Sequence, residues 1–256
     1  MIDLCGIPLA HPIINASGTF DAIAARRAFG DAVLGRFPFS AYVSKTITPA
    51  PRAGNAPPRL WEEPAGMVNS IGLPNKGLEG FIASDLPVLA ELPSPLIVSI
   101  MATSAEGFAA MVEALAADDR IAGLELNVSC PNVHSGLIVG EQPSESRALL
   151  EALRPLTTKP LIVKLTPNVA DPAAVAVAAA EGGADAVSLI NTLKAAPLRP
   201  GGDRWLGAGS GGLSGPAVRT IALKQVADVA AAVSVPVVGM GGVERGAHAR
   251  DLLRAG

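Results

Sequence analysis

One cysteine has neighbours that suit catalysis. Cys130 lies within Asn-Val-Ser-Cys-Pro-Asn at residues 127–132, directly after an apolar run. A thiolate can act as a general base when its surroundings favour ionisation, since a free thiol has a pKa of about 8.5. An isolated cysteine is more often a buried structural residue, but the flanking Asn127, Pro131 and Asn132 favour a site. The sequence therefore predicts Cys130 as the catalytic base, and leaves Cys5, which has no such neighbours, as structural.

Other polar residues recur where apolar runs end. If these runs are parallel strands, the residues meet at the face where barrel enzymes hold their active sites. The alternative is a structural polar layer inside a barrel, but lysines and asparagines are costly to bury without partners. The residues are Lys45, Thr46, Ser99, Asn127, Lys164, Asn191 and Thr192.

Three glycine-containing segments could bind ligands. Residues 239–242 (Gly-Met-Gly-Gly) follow an apolar run and could hold a phosphate on backbone N–H groups, or could be only a tight turn. Residues 69–75 (Asn-Ser-Ile-Gly-Leu-Pro-Asn) offer amide groups to a small heterocycle, or form a simple turn. Residues 207–212 match G-x-G-x-x-G, but no apolar strand precedes them, so a flexible loop is predicted and not a nicotinamide site.

The elements that must position these residues alternate between strands and helices. Phe108, Met111, Val112 and Leu115 share one helical face, Asp171-Pro172 predicts a helix start, and Pro216 opens a helix to about residue 232. The alternation predicts an α/β fold, a (β/α)₈ TIM barrel in one domain over residues 1–256. The eighth strand and last helix are expected to be missing, because seven strands are visible: 12–16, 41–46, 96–100, 123–128, 161–165, 186–190 and 235–240.

Composition narrows the class of protein. The net charge is −3 and no basic block occurs, which argues against nucleic acid as a partner. No apolar run is long enough for a membrane span, no secretory leader pattern is visible, and the histidines have no metal-ligand spacing. We therefore expect a cytoplasmic protein without a metal site. Residues 49–74, rich in proline, glycine and asparagine, are expected to form a long binding loop.

The ordered set of motifs resembles the class 1 dihydroorotate dehydrogenases. Residues 131–136 and 211–215 look more like the NAD-linked class 1B, whereas residues 72–75 look closer to the fumarate-using class 1A. The matching stretches are residues 15–18, 45–46, 66–75, 126–133, 163–168, 190–192, 211–216 and 239–242.

The resemblance implies an FMN enzyme that oxidises (S)-dihydroorotate to orotate in pyrimidine (UMP) biosynthesis. Cys130 would take the proton from C5 while hydride passes from C6 to flavin N5. Substrate contacts would come from Lys45, Asn69, Ile71, Gly72, Leu73, Asn127, Asn132, Asn191 and Thr192. Flavin contacts would come from Ala16, Ser17, Lys45, Thr46, Ser99, Asn127, Lys164, Ile190, Gly215, Gly241 and Gly242.

The resemblance also implies partner subunits, and it leaves alternative functions open. Class 1 enzymes suggest a homodimer, or a heterotetramer with an FAD and iron–sulfur subunit that passes electrons to NAD. A dihydropyrimidine dehydrogenase-like or a tRNA-dihydrouridine synthase-like flavin enzyme is an alternative, although the latter would need a basic RNA-binding surface. A non-catalytic flavin- or phosphate-binding scaffold is a third alternative. Ser99 stands where the family usually has asparagine, and a Gly-Thr phosphate contact expected on the eighth strand is absent.

Overall fold

The computed structural model describes residues 2–129, 140–199 and 201–256. Its strands are β1 (Ile2–Leu4), β2 (Ile7–Leu9), β3 (Tyr42–Val43), β4 (Leu60–Glu63), β5 (Gly66–Asn69), β6 (Leu96–Ile100), β7 (Ile121–Asn127), β8 (Leu161–Lys164), β9 (Ala186–Leu189), β10 (Leu193–Ala195), β11 (Gly211–Ser214) and β12 (Val237–Gly239). Its α-helices are α1 (Ala22–Phe29), α2 (Ala32–Gly35), α3 (Gly77–Gly80), α4 (Leu86–Leu89), α5 (Ala105–Ala116), α6 (Pro143–Leu153), α7 (Pro172–Glu181), α8 (Arg219–Ala232) and α9 (Gly246–Ala255).

A parallel sheet forms the centre of the described chain. Its strand order is β12-β9-β8-β7-β6-β3, so the six strands follow one another in sequence order. Each neighbouring pair is parallel. Sequential parallel strands with intervening helices are the arrangement of a (β/α)₈ barrel, and the predicted fold class is confirmed.

The two faces of this sheet carry different cores. Leu124, Leu126, Val163, Val187 and Leu189 belong to the larger core, which the sheet shares with the helices. The opposite face, here called the inner face, carries Ala41, Val43, Ile97, Ile162 and Ala186, packed against the β1–β2 hairpin. Because side chains alternate across a strand, residues two positions further on also point to the inner face.

The helices begin and end largely where the sequence predicts. Asp171 caps α7 by accepting a hydrogen bond from the Ala174 N–H at 3.0 Å, with Pro172 in the first turn. The helix stops at Gly182, and Gly183 has a positive φ of 109°. The predicted apolar face of α5 is fully buried, and Pro216 opens a short 3₁₀ turn that leads into α8. No helix among the described residues is long and apolar enough to span a bilayer.

The predicted strand at residues 12–16 is wrong. This segment is not hydrogen-bonded as a strand, because the Asn15 side chain occupies the place of a backbone partner. Its Oδ1 accepts from the Val43 N–H, and its Nδ2 donates to the Val43 carbonyl, both at 2.8 Å. Asn15 is buried, and its amide joins the segment to β3 while leaving the backbone after it free to turn.

A second sheet occupies regions that were expected to be loops. Strands β4 and β5 form a hairpin within residues 49–74, and β11 pairs antiparallel with both β5 and β10. The predictions of a long binding loop and of a flexible glycine loop at residues 207–212 are therefore wrong in part. Glycine is required at position 211 because a side-chain carbon there would lie 2.2 Å from the Asn69 carbonyl oxygen. The four-stranded order β10-β11-β5-β4 spans segments far apart in sequence.

Candidate active site

A hydrogen-bonded network joins five predicted site residues at the carboxyl ends of the parallel strands. The Thr46 hydroxyl lies 2.9 Å from the Ser99 hydroxyl and 3.2 Å from that of Ser17. The Asn127 side-chain N–H donates to Thr46 Oγ1 at 3.3 Å, and Asn191 donates to Asn127 Oδ1 at 3.4 Å. The network fixes the rotamers of residues from several elements, so it presents an ordered polar surface.

Two lysines flank this network. Lys164 ends β8, is 5% exposed, and pairs in register with Asn127 on β7. Lys45 precedes Thr46 and retains exposed surface, yet the surrounding protein displaces enough water that desolvation lowers the pKa of Lys45. A side-chain carbon at Gly18 would come within 2.8 Å of Lys45 Nζ, so glycine there leaves the ammonium its space. The site thus has cationic groups that suit an anionic ligand or a developing negative charge.

Three predicted glycines converge beside this polar surface. Gly215, Gly241 and Gly242 have φ values of 98°, 124° and 67°. A side-chain carbon at Gly242 would lie 2.8 Å from the Gly215 carbonyl oxygen, and one at Gly241 would lie 3.1 Å from Ile190 Cγ1. The three glycines thus form a cradle to which they contribute no side chains of their own, which suits a phosphate or a ribityl chain.

A cavity of about 710 Å³ connects the cradle with the polar surface. This volume lies within the usual range for cofactor sites, roughly 300–1,000 Å³. The predicted site residues on its wall are Ala16, Ser17, Lys164, Ile190, Asn191, Thr192, Gly215, Gly241 and Gly242. The residues present therefore fit a flavin mononucleotide, since glycines stand at the phosphate end and a lysine and two polar side chains stand at the other.

The second sheet brings together two residues that the sequence predicts to bind substrate, Asn69 and Thr192. Asn69 pairs in register with Gly212, and its Nδ2 donates to the Gly212 carbonyl at 3.2 Å. A side-chain carbon at Gly212 would lie 1.9 Å from Thr192 Oγ1, so Thr192 packs directly on this backbone. Asn69 and Thr192 therefore share one small region, although they are far apart in sequence.

The loop after β5 is held by asparagines. The Ile71 carbonyl accepts a hydrogen bond from the Asn55 N–H at 3.0 Å. Gly72 has a φ of 76°, and its backbone packs against Asn55. Leu73 adopts a φ of 54°, which is uncommon for a side-chain-bearing residue. Asn75 secures the end of the loop by donating to the Leu73 carbonyl at 2.8 Å. Residues 71–73 are thus presented by a braced turn.

Sequence reasoning gave no role to one asparagine that organises the site. Asn168 Nδ2 donates to the Thr192 carbonyl at 3.0 Å and to Thr166 Oγ1 at 2.9 Å, and its Oδ1 accepts from the Lys194 N–H at 2.9 Å. It therefore joins the turn after β8 to the segment that carries Asn191 and Thr192. The signal available was a polar Thr-Pro-Asn turn directly after an apolar strand.

The structure describes only one of the two cysteines, Cys5. Cys130 and Asn132 lie outside the described residues. The Cys5 thiol donates to the Asp185 carbonyl at 3.1 Å, and burial, followed by the charges of Asp185 and Asp3, raises the pKa of Cys5 to about 11. A thiol held protonated in this way is unsuited as a base at neutral pH.

The fold and the site together define a barrel protein whose site lies at the carboxyl ends of parallel strands. Across residues 1–256, the chain matches the family model described as dihydroorotate dehydrogenase. The chain therefore belongs to the dihydroorotate dehydrogenase family.

Three relatives illustrate the similarity. The chain is 42% identical to a dihydroorotate dehydrogenase B (NAD(+)) catalytic subunit of Pelobacter propionicus, covering 100% of this chain and 83% of the relative. It is 42% identical to the protein of the same name from Desulforudis audaxviator, covering 100% and 82%. It is also 40% identical to a Solibacter usitatus protein assigned to the fumarate-type A form, covering 99% and 83%.

Proposed function

We propose that this chain is the catalytic subunit of an FMN-dependent dihydroorotate dehydrogenase, which oxidises (S)-dihydroorotate to orotate in pyrimidine biosynthesis. The observation that carries the proposal is the union of a glycine cradle, a polar network and two lysines at one end of the parallel sheet. Family membership gives the reaction, and these residues supply matching chemistry. We place the reaction in the cytoplasm, in keeping with two cysteines that form no disulfide framework.

The flavin side of the site follows from the cavity. When bound, FMN supplies the hydride acceptor for the reaction. Gly215, Gly241 and Gly242 would hold its phosphate and ribityl chain, while Lys164 would favour the negative charge of the reduced ring. The remaining flavin contacts would be Ala16, Ser17, Lys45, Thr46, Ser99, Asn127 and Ile190.

The substrate side follows from the asparagines and the braced loop. Amide groups of Asn69, Asn127, Asn132 and Asn191, with the Thr192 hydroxyl, suit a ring edged by N–H and C=O groups. Backbone groups of residues 71–73 would complete the pocket, and Lys45 would attract the substrate carboxylate. Cys130 would remove the C5 proton as general base.

We further propose that NAD is the final electron acceptor. Relatives named as NAD(+)-linked catalytic subunits at 42% identity support an NAD-linked enzyme that works with a separate electron-transfer subunit. An FAD and iron–sulfur protein is the partner we propose, within a heterotetramer built on a homodimer. The chain has two cysteines, too few to hold an iron–sulfur cluster itself.

Anaerobic stopped-flow mixing with dihydroorotate tests the reaction. The purified protein should carry FMN, and its flavin absorbance should bleach rapidly. In Cys130→Ala, bleaching should slow by about 10²–10⁴-fold, the range for loss of a general base, while Cys5→Ala should bleach at the normal rate. A bound flavin that ignores dihydroorotate but responds to dihydropyrimidines would reject this substrate, and a protein that takes up no flavin would reject the proposal.

A further inference from the structure

A buried carboxylate lies directly below the proposed flavin site. Glu125 is on β7, two residues before Asn127, so both side chains point to the inner face. Glu125 is 3% exposed. Its Oε2 accepts a hydrogen bond from the Ser188 hydroxyl at 3.0 Å, whereas its Oε1 has no partner among the described residues. Buried polar atoms without partners are rare, so this oxygen needs an explanation.

The strand register shows what this carboxylate faces. Ser188 is on β9, and β8 lies between β7 and β9 in the sheet. Lys164 on β8 is the register partner of Asn127 on one side and of Ser188 on the other. The Glu125–Ser188 hydrogen bond therefore crosses the inner face in front of β8, next to the Lys164 side chain.

Two opposite charges thus share a buried inner face. Lys164 is 5% exposed, and the carboxylates of the described residues give it no direct ion pair. Burying an ammonium in such a place costs free energy unless a counter-charge is near. Glu125 is the one acidic residue on the described strands of this inner face.

We propose that Glu125 is a positioning residue, whose buried carboxylate supplies a counter-charge to the Lys164 ammonium and holds it in place beneath the flavin. Ser188 holds the carboxylate in that position. The proposal rests on the proposed FMN site, because Lys164 acts there by favouring the reduced flavin. Glu125 itself needs no contact with flavin or substrate.

The flavin midpoint potential is the first test. Glu125→Gln keeps the shape of the side chain and removes its charge, so the potential should shift to a more negative value, as it should in Lys164→Met. Adding Glu125→Gln to Lys164→Met should give no further shift. An unchanged potential, a positive shift, or equal shifts in both backgrounds would overturn the proposal. Glu113→Gln, at an exposed glutamate of α5, is the matched control and should leave the potential unchanged.

A double-mutant cycle on unfolding tests the pair without the cofactor. Urea midpoints of the flavin-free protein should fall in Glu125→Gln and in Lys164→Met, and the double variant should lose less than their sum. Additive losses would reject the pairing. Failure of the wild type to bind FMN would reject the proposed function instead, and the cycle would still decide the pairing.

Ser188→Ala keeps the proposal testable if Glu125→Gln does not fold. It frees the carboxylate from its tether while retaining the charge. A smaller negative shift in potential, absent in the Lys164→Met background, is expected. No shift at all from Ser188→Ala, in a protein that binds FMN normally, would contradict the positioning role.

Discussion

The parallel sheet and the antiparallel sheet hold the two halves of the site in different ways. The proposed flavin side is built by strand ends whose side chains bond to one another, as Thr46 bonds to Ser99 and Asn127. The proposed substrate side is built by contacts to backbone: Thr192 packs on Gly212, and Asn69 donates a hydrogen bond to the Gly212 carbonyl. We infer that flavin binding and substrate binding can be damaged separately.

The largest effect confined to one half of the site should come from Gly242→Ala. Its φ of 67° and its approach to the Gly215 carbonyl leave no room for a side chain. We expect FMN affinity to fall by roughly 10- to 100-fold, from strain of about 1–3 kcal/mol. Fluorescence titration of the flavin-free protein with FMN measures this. Gly246→Ala is the control, because its side-chain carbon would meet only Arg250 Nη1 at 3.6 Å; equal affinities in the two variants would contradict the cradle.

Asn168→Ala should affect the opposite half. The change leaves the Thr192 carbonyl and the Lys194 N–H without their partner, which costs about 1–3 kcal/mol. We expect the KM for dihydroorotate to rise roughly tenfold while FMN content stays normal. Asn168→Asp keeps the acceptor for Lys194 and should give an intermediate KM. If flavin were lost along with substrate affinity, the two halves would not be separable.

Lys45, which we propose contacts both flavin and substrate, should give the site a pH dependence. Because desolvation lowers the pKa of Lys45, its ammonium is lost at a lower pH than that of an ordinary lysine. Affinity for the orotate anion should therefore be full below this pKa and decline as the pH rises through it. Lys45→Arg stays charged and should remove the alkaline decline. Orotate titrations monitored by flavin absorbance across pH would test this, and an identical decline in both proteins would rule Lys45 out as its source.

The smallest effect should come from the turn of the β1–β2 hairpin. Cys5 and Gly6 have positive φ values of 54° and 85° in the turn between β1 and β2. Asparagine suits the first position of such a turn, so Cys5→Asn should stabilise the protein by roughly 0.5 kcal/mol. Cys5→Val should destabilise it by about 1 kcal/mol, because a β-branched residue resists this conformation. Urea unfolding measures both changes, and dihydroorotate oxidation should be unaffected.

The sequence predicted the parallel sheet well because each strand is a nearly continuous apolar run. Residues 96–100 form β6 as predicted, and the polar residues that follow such runs do meet in space. The glycines after β12 also lie where the pattern indicated. These features depend on residues close together in the chain, which periodicity and composition can report.

The antiparallel sheet was not predicted, for physical reasons. Strand β11 is Gly-Gly-Leu-Ser, a sequence with poor strand propensity that pairs only because bare backbone fits against β5. The segment around Asn15 shows the opposite error. Residues 12–16 were predicted to form a strand because they are largely apolar, but the side-chain amide of Asn15, and not a strand backbone, pairs with β3. The role of Asn168 depends on contacts with residues 24 and 26 positions away, which no local pattern contains.

The pairing of β5 with β11 also bears on the order in which the chain folds. Asn69 and Gly212 are 143 residues apart, whereas β6, β7, β8 and β9 are neighbours in the parallel sheet and also follow one another in the chain. Closing so large a loop costs more entropy than joining successive strands. We therefore expect a refolding chain to protect the backbone amides of β6–β9 first and those of β5 and β11 last, so that the polar network at the strand ends forms before Gly215, which follows β11, joins the cradle.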